Sequence, residues 1–430
     1  MKAKVLIIGG GVMGTSIAMH LADRMDPFGD PLVLLERAPA LAAGSSGRSG
    51  AILRTQYADL NVARMAQTSL RDYSTFMTRT GRDIGFHKAG ALTLAGPLAP
   101  EWIERTRDCV EMLQAGGLKT ELVDAARMRA LIPGIVVADD AIGAWEPDSG
   151  FVDPVATVEA FAAIARTRGA VTRLGVEVTS LLLAGDRITG VETSEGRYEA
   201  EQVILVAGPW SHALLAQAGL NYPLRAVRPE QHFLAMPHER RNPSQANDFD
   251  DFEGGSDLDA LARLEQAAAE KAETQGVAHP VVIDLELGFY SRCVPDRKST
   301  RVGKIEYESD AVVADPDSLD EQVSDEMKTW ARQALSQRMP VYAELPDTAS
   351  EAALYTLTPD AQALIGEVAG ARGLIVATGF SGHGFKLAPT IGEGVCQMVM
   401  GDPVTALDPD FFNPQRFEGR AVHWGGKFGL

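Results

Sequence analysis

Residues 5–22 read VLIIGGGVMGTSIAMHLA, an apolar run from Val5 to Ile8 that stops at Gly9-Gly10-Gly11 before helical spacing resumes at Ile17, Ala18, Leu21 and Ala22. The order is strand, glycine turn, helix. A second apolar run, Leu32 to Leu35, ends in Glu36. That acid stands about twenty residues beyond the turn, where a dinucleotide-binding βαβ unit carries its ribose-binding carboxylate. Gly9 permits the tight turn, Gly11 keeps side chains away from a pyrophosphate, and Gly14 lets helix and strand pack closely. Val12 and Met13 open the helix, whose free N–H groups and positive dipole end face the phosphates. Glu36 can accept from both ribose hydroxyls and repels a 2'-phosphate, which disfavours NADP. A glycine turn alone says little; here strand, helix and acid agree.

The rest of the chain is read outward from that unit. At 430 residues it exceeds one simple core and suits two domains, separate or interleaved. A 45% hydrophobic and 23% charged composition supplies a large core and excludes wholesale disorder. A formal net charge of −18 and a pI near 4.9 argue against nucleic acid or an anionic membrane as partner, since both need a basic face. Cys109, Cys293 and Cys396 are odd in number and scattered, so neither a disulfide framework nor a metal site is expected. The first apolar run is too short for a signal sequence and no later run reaches a membrane-spanning length, so a cytoplasmic location is expected.

After Glu36-Arg37 the segment Gly44 to Tyr57 (GSSGRSGAILRTQY) carries Ser45, Ser46, Gly47, Arg48 and Ser49, small and polar residues suited to close approach to a flat polar ligand. A plain surface loop is the other reading. Asn61 to Thr80 reads as one helix, Gly90 to Leu94 as a strand, Glu101 to Ala115 and Leu122 to Leu131 as helices. A helix begins at Asp153 or Pro154 and ends at Gly169. Strands follow from Val176 to Leu183, from Arg187 to Thr193 and from Glu201 to Ala207, the last running into Ala207-Gly208-Pro209-Trp210. That turn suits a backbone contact with the cofactor, or equally a plain strand-to-helix connection. Residues 238–279 form an acidic insertion with one helix expected from Leu258 to Lys271, readable as lid, docking surface for a protein partner, or solvated appendage. Strands are expected at Val281 to Ile283, Gly288 to Tyr290 and Val302 to Tyr307, and a helix from Leu319 to Met339. Finally a strand from Leu374 to Thr378 meets Gly379-Phe380-Ser381-Gly382-His383-Gly384-Phe385-Lys386 and another helix, a second place for anion or flavin contact.

Taken together, Gly379 to Lys386 (GFSGHGFK), Tyr355 to Asp360 (YTLTPD) and Gly44 to Tyr57 resemble the D-amino acid oxidase superfamily of FAD enzymes, in its sarcosine oxidase-like branch, over almost the whole chain. The resemblance implies FAD rather than NAD. It also implies an α/β fold: a Rossmann-type FAD-binding domain (residues 1–84, 151–222 and 346–430) interleaved with an α+β substrate domain (85–150 and 223–345) on a mostly antiparallel sheet. Cofactor contacts are then expected from Gly9, Gly11, Val12, Met13, Gly14, Glu36, Arg37, the Ser45–Ser49 loop, Val176, Ala207, Gly208, Trp210, Gly379, Gly382, His383, Gly384, Phe385 and Lys386.

The reaction so implied is oxidation of the C–N bond of a small carboxylated amine, secondary or N-methyl, or of an amino acid, with oxygen as acceptor. Arg54 matches the family's carboxylate-binding arginine and Lys386 the lysine closing GFSGHGFK, a fork and a point charge able to fix an anion. Tyr355 falls where the family lines its pocket. Lys304 can be laid over the lysine that promotes oxygen reaction; a strand-edge lysine without a role is the other reading. The chain departs from the pattern in carrying Glu351-Ala352-Ala353-Leu354 where covalent members have a cysteine, so noncovalent FAD is expected. Ala51 replaces an arginine near the flavin ring, for which Arg48 is a substitute. Glu308 replaces a pocket histidine, and Val152 lies where a second flavin would be attached, so none is expected. The rival readings are a dehydrogenase subunit passing electrons to a protein or quinone, and a noncatalytic flavoprotein scaffold.

Overall fold

The computed structural model describes residues 2–29, 31–237, 278–306 and 312–424. The insertion's expected helix, and Glu308, lie outside these residues. The chain passes repeatedly between two eight-stranded sheets.

The first stretch supplies β1 (Lys2–Ile8), α1 (Val12–Ala22), β2 (Leu32–Glu36), the short β3 (Ile52–Leu53), α2 (Leu60–Ser74) and α3 (Phe76–Thr80). The next supplies β4 (Ala91–Ala95), α4 (Glu101–Ala115), β5 (Glu121–Asp124), α5 (Ala125–Leu131), β6 (Ile142–Glu146) and β7 (Gly150–Phe151). The chain then returns through α6 (Pro154–Thr167), β8 (Val171–Leu174), β9 (Val178–Ala184), β10 (Arg187–Thr193), β11 (Gly196–Leu205) and α7 (Ser211–Gln217). It leaves again through β12 (Arg225–Val227), β13 (Glu230–Ala235), β14 (Val281–Asp284), β15 (Phe289–Val294), β16 (Ser299–Lys304), α8 (Asp325–Arg338) and β17 (Asp347–Ala352). The last elements are β18 (Tyr355–Leu357), β19 (Leu364–Glu367), β20 (Leu374–Thr378) and α9 (Ala388–Met400).

The first sheet runs β19-β20-β11-β1-β2-β8, parallel from β20 to β8, with β19 antiparallel at one edge and the β9–β10 hairpin pairing onto β11. Its central strands are apolar on both faces because both are covered, as parallel sheets require. Helix α1 crosses α9 through small residues: a Cβ on Gly392 would meet Ser16 Oγ at 2.3 Å, and Ser16 Oγ donates to the Ala388 carbonyl at 2.7 Å. The second sheet runs β17-β13-β16-β15-β14-β4-β6-β5, antiparallel except between β14 and β4. One face packs on α5 and α8, and the other turns its apolar residues toward β3 and β7.

Three expected helices differ in extent. Asn61 to Thr80 is interrupted at Thr75, whose hydroxyl donates back to the Arg71 carbonyl at 2.7 Å. Leu122 lies in β5 opposite Ala144, and the helix starts only at Ala125, where Asp124 caps it by accepting from Arg127 N. Cross-strand pairing there overrides helical periodicity. Leu319 to Ser324 is not helical because Arg228 Nε donates to the Asp320 carbonyl at 2.6 Å and Glu230 accepts from Ser324 N and Oγ; α8 begins after Ser324. Strand β16 covers Ser299–Lys304 rather than starting at Val302, and β11 begins five residues before Glu201 to pair with β10. Among the described residues no helix is long and apolar enough to cross a membrane.

Candidate active site

A cavity of about 490 Å³ opens where β1, β2 and β11 end, the crevice at which open α/β sheets bind their ligands. Gly9 forms its floor at φ +121°, and a Cβ there would meet the Val206 carbonyl oxygen at 2.6 Å. A Cβ on Gly14 would lie 1.9 Å from the Gly9 oxygen, so the helix sits on the turn only because that position is bare. Glu36 Oε2 accepts from Gly10 N at 2.7 Å and Oε1 from Ala38 N at 2.8 Å, leaving lone pairs for ribose hydroxyls. Ser46 Oγ accepts from Val12 N at 3.0 Å, at the start of α1. The opposite wall is Trp210, with the Arg37 guanidinium 4.2 Å from its ring and Asp317 accepting from Trp210 Nε1 at 2.8 Å. Arg37 also pairs with Asp317, which holds that carboxyl below the usual carboxylate range. Ser45, Val176, Ala207 and Gly208 complete the lining. Bare glycine backbone, an acid at the ribose position and a flat aromatic wall fit the ADP half of a flavin dinucleotide.

Two smaller cavities continue inward. One, of about 120 Å³, shares Gly11, Ser46 and Gly208 with the first and adds Met13, Ser49, Tyr355, Gly382, Gly384 and Phe385. The next, of about 50 Å³, shares Ser49, Tyr355, Gly382 and Phe385 with it and ends on Arg54 and Lys386, with Ile283, Tyr290 and Ile305 reaching in from the second sheet. The path from Glu36 to Lys386 is thus one continuous series.

At its inner end two cations are buried together, Arg54 at 2% and Lys386 at 7% exposure. Both lie over Tyr57, Arg54 Cζ at 4.8 Å and Lys386 Nζ at 6.0 Å from the ring centre. Burial and the Arg54 charge push the Lys386 ammonium well below its ordinary pKa, while the Glu146 charge partly opposes them. Glu146 closes β6 and its Oε1 accepts from Thr55 N at 2.6 Å and from the Thr55 hydroxyl. Burial pushes its carboxyl up; the Thr55 bonds and Arg54 pull it back. Beneath them His383 donates through Nε2 to the Ala361 carbonyl at 2.7 Å, and burial beside Lys386 drives its pKa down to about 3, so it stays neutral.

Several expected contacts stand off this path. Gly47 serves the loop's own fold, since a Cβ would meet the Ala42 oxygen at 2.4 Å. Gly379 (φ +73°) lies against Thr358, and His383 binds backbone. Arg48 reaches Glu321 and the Ala352 carbonyl. Lys304 is opposite Phe289 in the β15–β16 register, which puts it on the α8 face, with Nζ 5.5 Å from the Trp330 ring centre. Its neighbour Ile305 lines the inner cavity. The cation on the cavity face of β16 is Arg301, paired with Glu351 at 2.8 Å. Glu146, Asp317, Tyr290 and Arg301 were not singled out from sequence. Each enters through a strand pairing or loop crossing, and only the acid ending an apolar strand at Glu146 left a local signal.

Fold and site define a two-sheet flavin-dinucleotide protein. The FAD dependent oxidoreductase (DAO) family model matches residues 4–398, and the chain belongs to that family, with FAD as its cofactor. It is 25% identical over 423 residues to 4-methylaminobutanoate oxidase (formaldehyde-forming) of Paenarthrobacter nicotinovorans, covering 97% of this chain and 46% of that one. It is 26% identical to mitochondrial dimethylglycine dehydrogenase of Homo sapiens, covering 95% and 44%. The chain therefore spans under half the length of these relatives. Against monomeric sarcosine oxidase of Streptomyces avermitilis identity is 26%, covering 96% and 97%. The fold is shared with L-proline dehydrogenase from P. horikoshii, at a TM-score of 0.80 and 23% identity over 97% of this chain and 98% of that one.

Proposed function

We propose that the chain oxidises the C–N bond of a small carboxylated amine, secondary or N-methyl, or of an amino acid. The observation that carries this is the buried Arg54–Lys386 pair at the inner end of the flavin path, partly balanced by one carboxylate, Glu146. Two buried cations beside Glu146 attract a substrate carboxylate. Arg54 and Lys386 would hold that carboxylate, and Tyr355 and Tyr290 would wall the carbon bearing the amine. FAD, when bound noncovalently, supplies the two-electron acceptor. No side-chain base is needed if the amine binds neutral. Relatives named for N-methylated substrates, 4-methylaminobutanoate and dimethylglycine, support the same class.

Oxygen as acceptor rests on Lys304. Its place against Trp330, and the pairing of Arg301 with Glu351, favour the second reading, transfer to a protein or quinone. A free cation beside the reduced cofactor would stabilise superoxide, whereas a paired one does so less. The test is anaerobic bleaching of the flavin absorbance by N-methyl, cyclic and primary amino acids and by 2-hydroxy acids, followed by air. Bleaching by a carboxylated amine supports the reaction, and slow recovery in air supports the dehydrogenase. No bleaching by any amine would sink the proposal and leave a noncatalytic flavoprotein.

A further inference from the structure

Arg292 and Arg301 stand directly opposite each other across β15 and β16. They share a face with Tyr290, which lines the inner cavity. Like charges opposed in a sheet repel, and here both are nearly out of water, at 4% and 3% exposure. Arg301 is compensated by Glu351 at 2.8 Å, by the Arg48 carbonyl at 2.7 Å and by Gln231. Arg292 is not. Among the described residues no carboxylate lies within 4.0 Å of it. Its Nη1 donates to the Cys293 carbonyl at 3.0 Å, its guanidinium carbon lies 4.5 Å from the Phe151 ring centre, and its Nε is buried with no acceptor. His87 stacks on the same Phe151 ring, and burial, opposed by the Asp296 charge and aided by that of Arg292, lowers its pKa. Asp153 exerts a favourable charge from farther off, but one of its oxygens already caps α6 by accepting from Ala156 N at 2.6 Å. One buried positive charge is thus left over on the cavity side of the sheet, a costly arrangement unless an anion joins it.

The position adjoins residues that line the inner cavity. Ile52, which lines the inner cavity, pairs with Phe151, and Phe151 carries Arg292. Tyr290 is two residues from Arg292 on the same strand, a step of about 7 Å. Both arginines also act electrostatically on the Tyr290 hydroxyl, which is hydrogen-bonded to Tyr355 in the cavity.

We propose that Arg292, with Arg301 beside it, is the subsite for a second carboxylate, so that the substrate is an amino dicarboxylate held at one end by Arg54 and Lys386 and at the other by Arg292. This rests on the reading of the Arg54–Lys386 cavity given above and deepens it. Dicarboxylates of graded length read out the separation between the two ends.

The test uses the FAD-loaded protein and redox-inert probes: succinate, glutarate and adipate against propionate, butyrate and valerate, followed by perturbation of the flavin absorbance. The dicarboxylate of fitting length is expected to bind about tenfold or more tighter than its monocarboxylate partner, the gain of one charge-assisted pair. Arg292→Met is expected to bring that ratio close to one, and Arg292→Lys to retain part of it. Equal affinities in the unaltered protein would overturn the proposal, whatever the variants do. So would a ratio that survives in an Arg292→Met protein still holding its FAD; if that variant does not hold FAD, an unchanged ratio in Arg292→Lys overturns it. The two readings fail separately. Glutarate that perturbs the flavin while no amine bleaches it removes the proposed reaction and keeps the subsite. N-methyl monocarboxylic and dicarboxylic amino acids that bleach with equal affinity remove the subsite and keep the reaction.

Discussion

Glu146 Oε1 accepts the Thr55 amide at 2.6 Å, fastening the last residue of a second-sheet strand to the residue after Arg54. The bond ties the second sheet to the segment that carries Arg54 and sets a negative charge beside the cation pair. Its removal should therefore be felt in the electrostatics of Lys386.

A protonated Lys386 attracts a carboxylate and a neutral one does not. Carboxylate affinity is thus full below the Lys386 pKa and falls as pH rises through it. Because burial and Arg54 hold that pKa well below 10.5, the fall comes at lower pH than a surface lysine would give. Glu146→Gln can still accept from Thr55 but no longer favours the ammonium, so the fall should move to lower pH. Lys386→Met should abolish it and weaken binding about 10- to 100-fold, as loss of a charge-assisted hydrogen bond does. Titrating the flavin spectrum with a carboxylate across pH measures all three; a fall that stays in place in Glu146→Gln would contradict the coupling.

Gly14→Ala tests the turn. The added carbon would lie 1.9 Å from the Gly9 oxygen, a backbone atom at the floor of the dinucleotide cavity, so α1 must lift from β1. Overpacking of this kind costs about 1–3 kcal/mol or more, and here it falls on the phosphate-facing end of the helix. The purified variant should carry little flavin by its absorbance ratio. Full FAD content would mean that the turn adapts.

What sequence could convey follows from locality. The βαβ unit was legible because Gly14 and Glu36 each answer to a neighbour close in the chain, Gly9 and Gly10, and Gly9 itself takes a positive φ at the turn. Arg54 and Lys386 were reached through motif resemblance, and they do meet in one cavity. Lys304 illustrates the limit. Adjacent strand residues face opposite ways, so an alignment off by one position moves a side chain from the cavity to the α8 face. Arg292 and Asp317 depend on register and on loop crossings that no local pattern records.

Lys304→Met follows from that placement. With its ammonium against Trp330 on the far face, its removal should leave the rate at which air reoxidises the dithionite-reduced flavin within about twofold, since an exposed-face cation–π contact is worth only about 0.5–1 kcal/mol. Stopped-flow absorbance reads this directly. A tenfold slowing would bring Lys304 back to the flavin and restore the oxidase reading.

Arg338 closes the second sheet's far side. Its Nε meets Asp284 Oδ2 at 2.6 Å, its Nη2 meets Glu286 Oε2 at 2.7 Å, and its Nη1 donates to the Val136 carbonyl at 2.8 Å. All three ionic side chains are buried, and Asp284 also accepts from the amides of Glu286 and Leu287 at the end of β14. Arg338→Met would keep the volume but leave two carboxylates facing each other without a cation, at a cost of about 3–5 kcal/mol, the usual consequence of breaking a buried pair from one side. Because β14 pairs with β15, which bears Tyr290 and Arg292, the loss should register both as a lowered unfolding midpoint and as weaker binding of carboxylates. Replacing all three together by apolar residues should recover much of the stability, since no charge is then stranded. Thermal unfolding of the single and triple variants at saturating FAD separates the two, and a single variant as stable as the parent would show that water reaches Asp284 and Glu286.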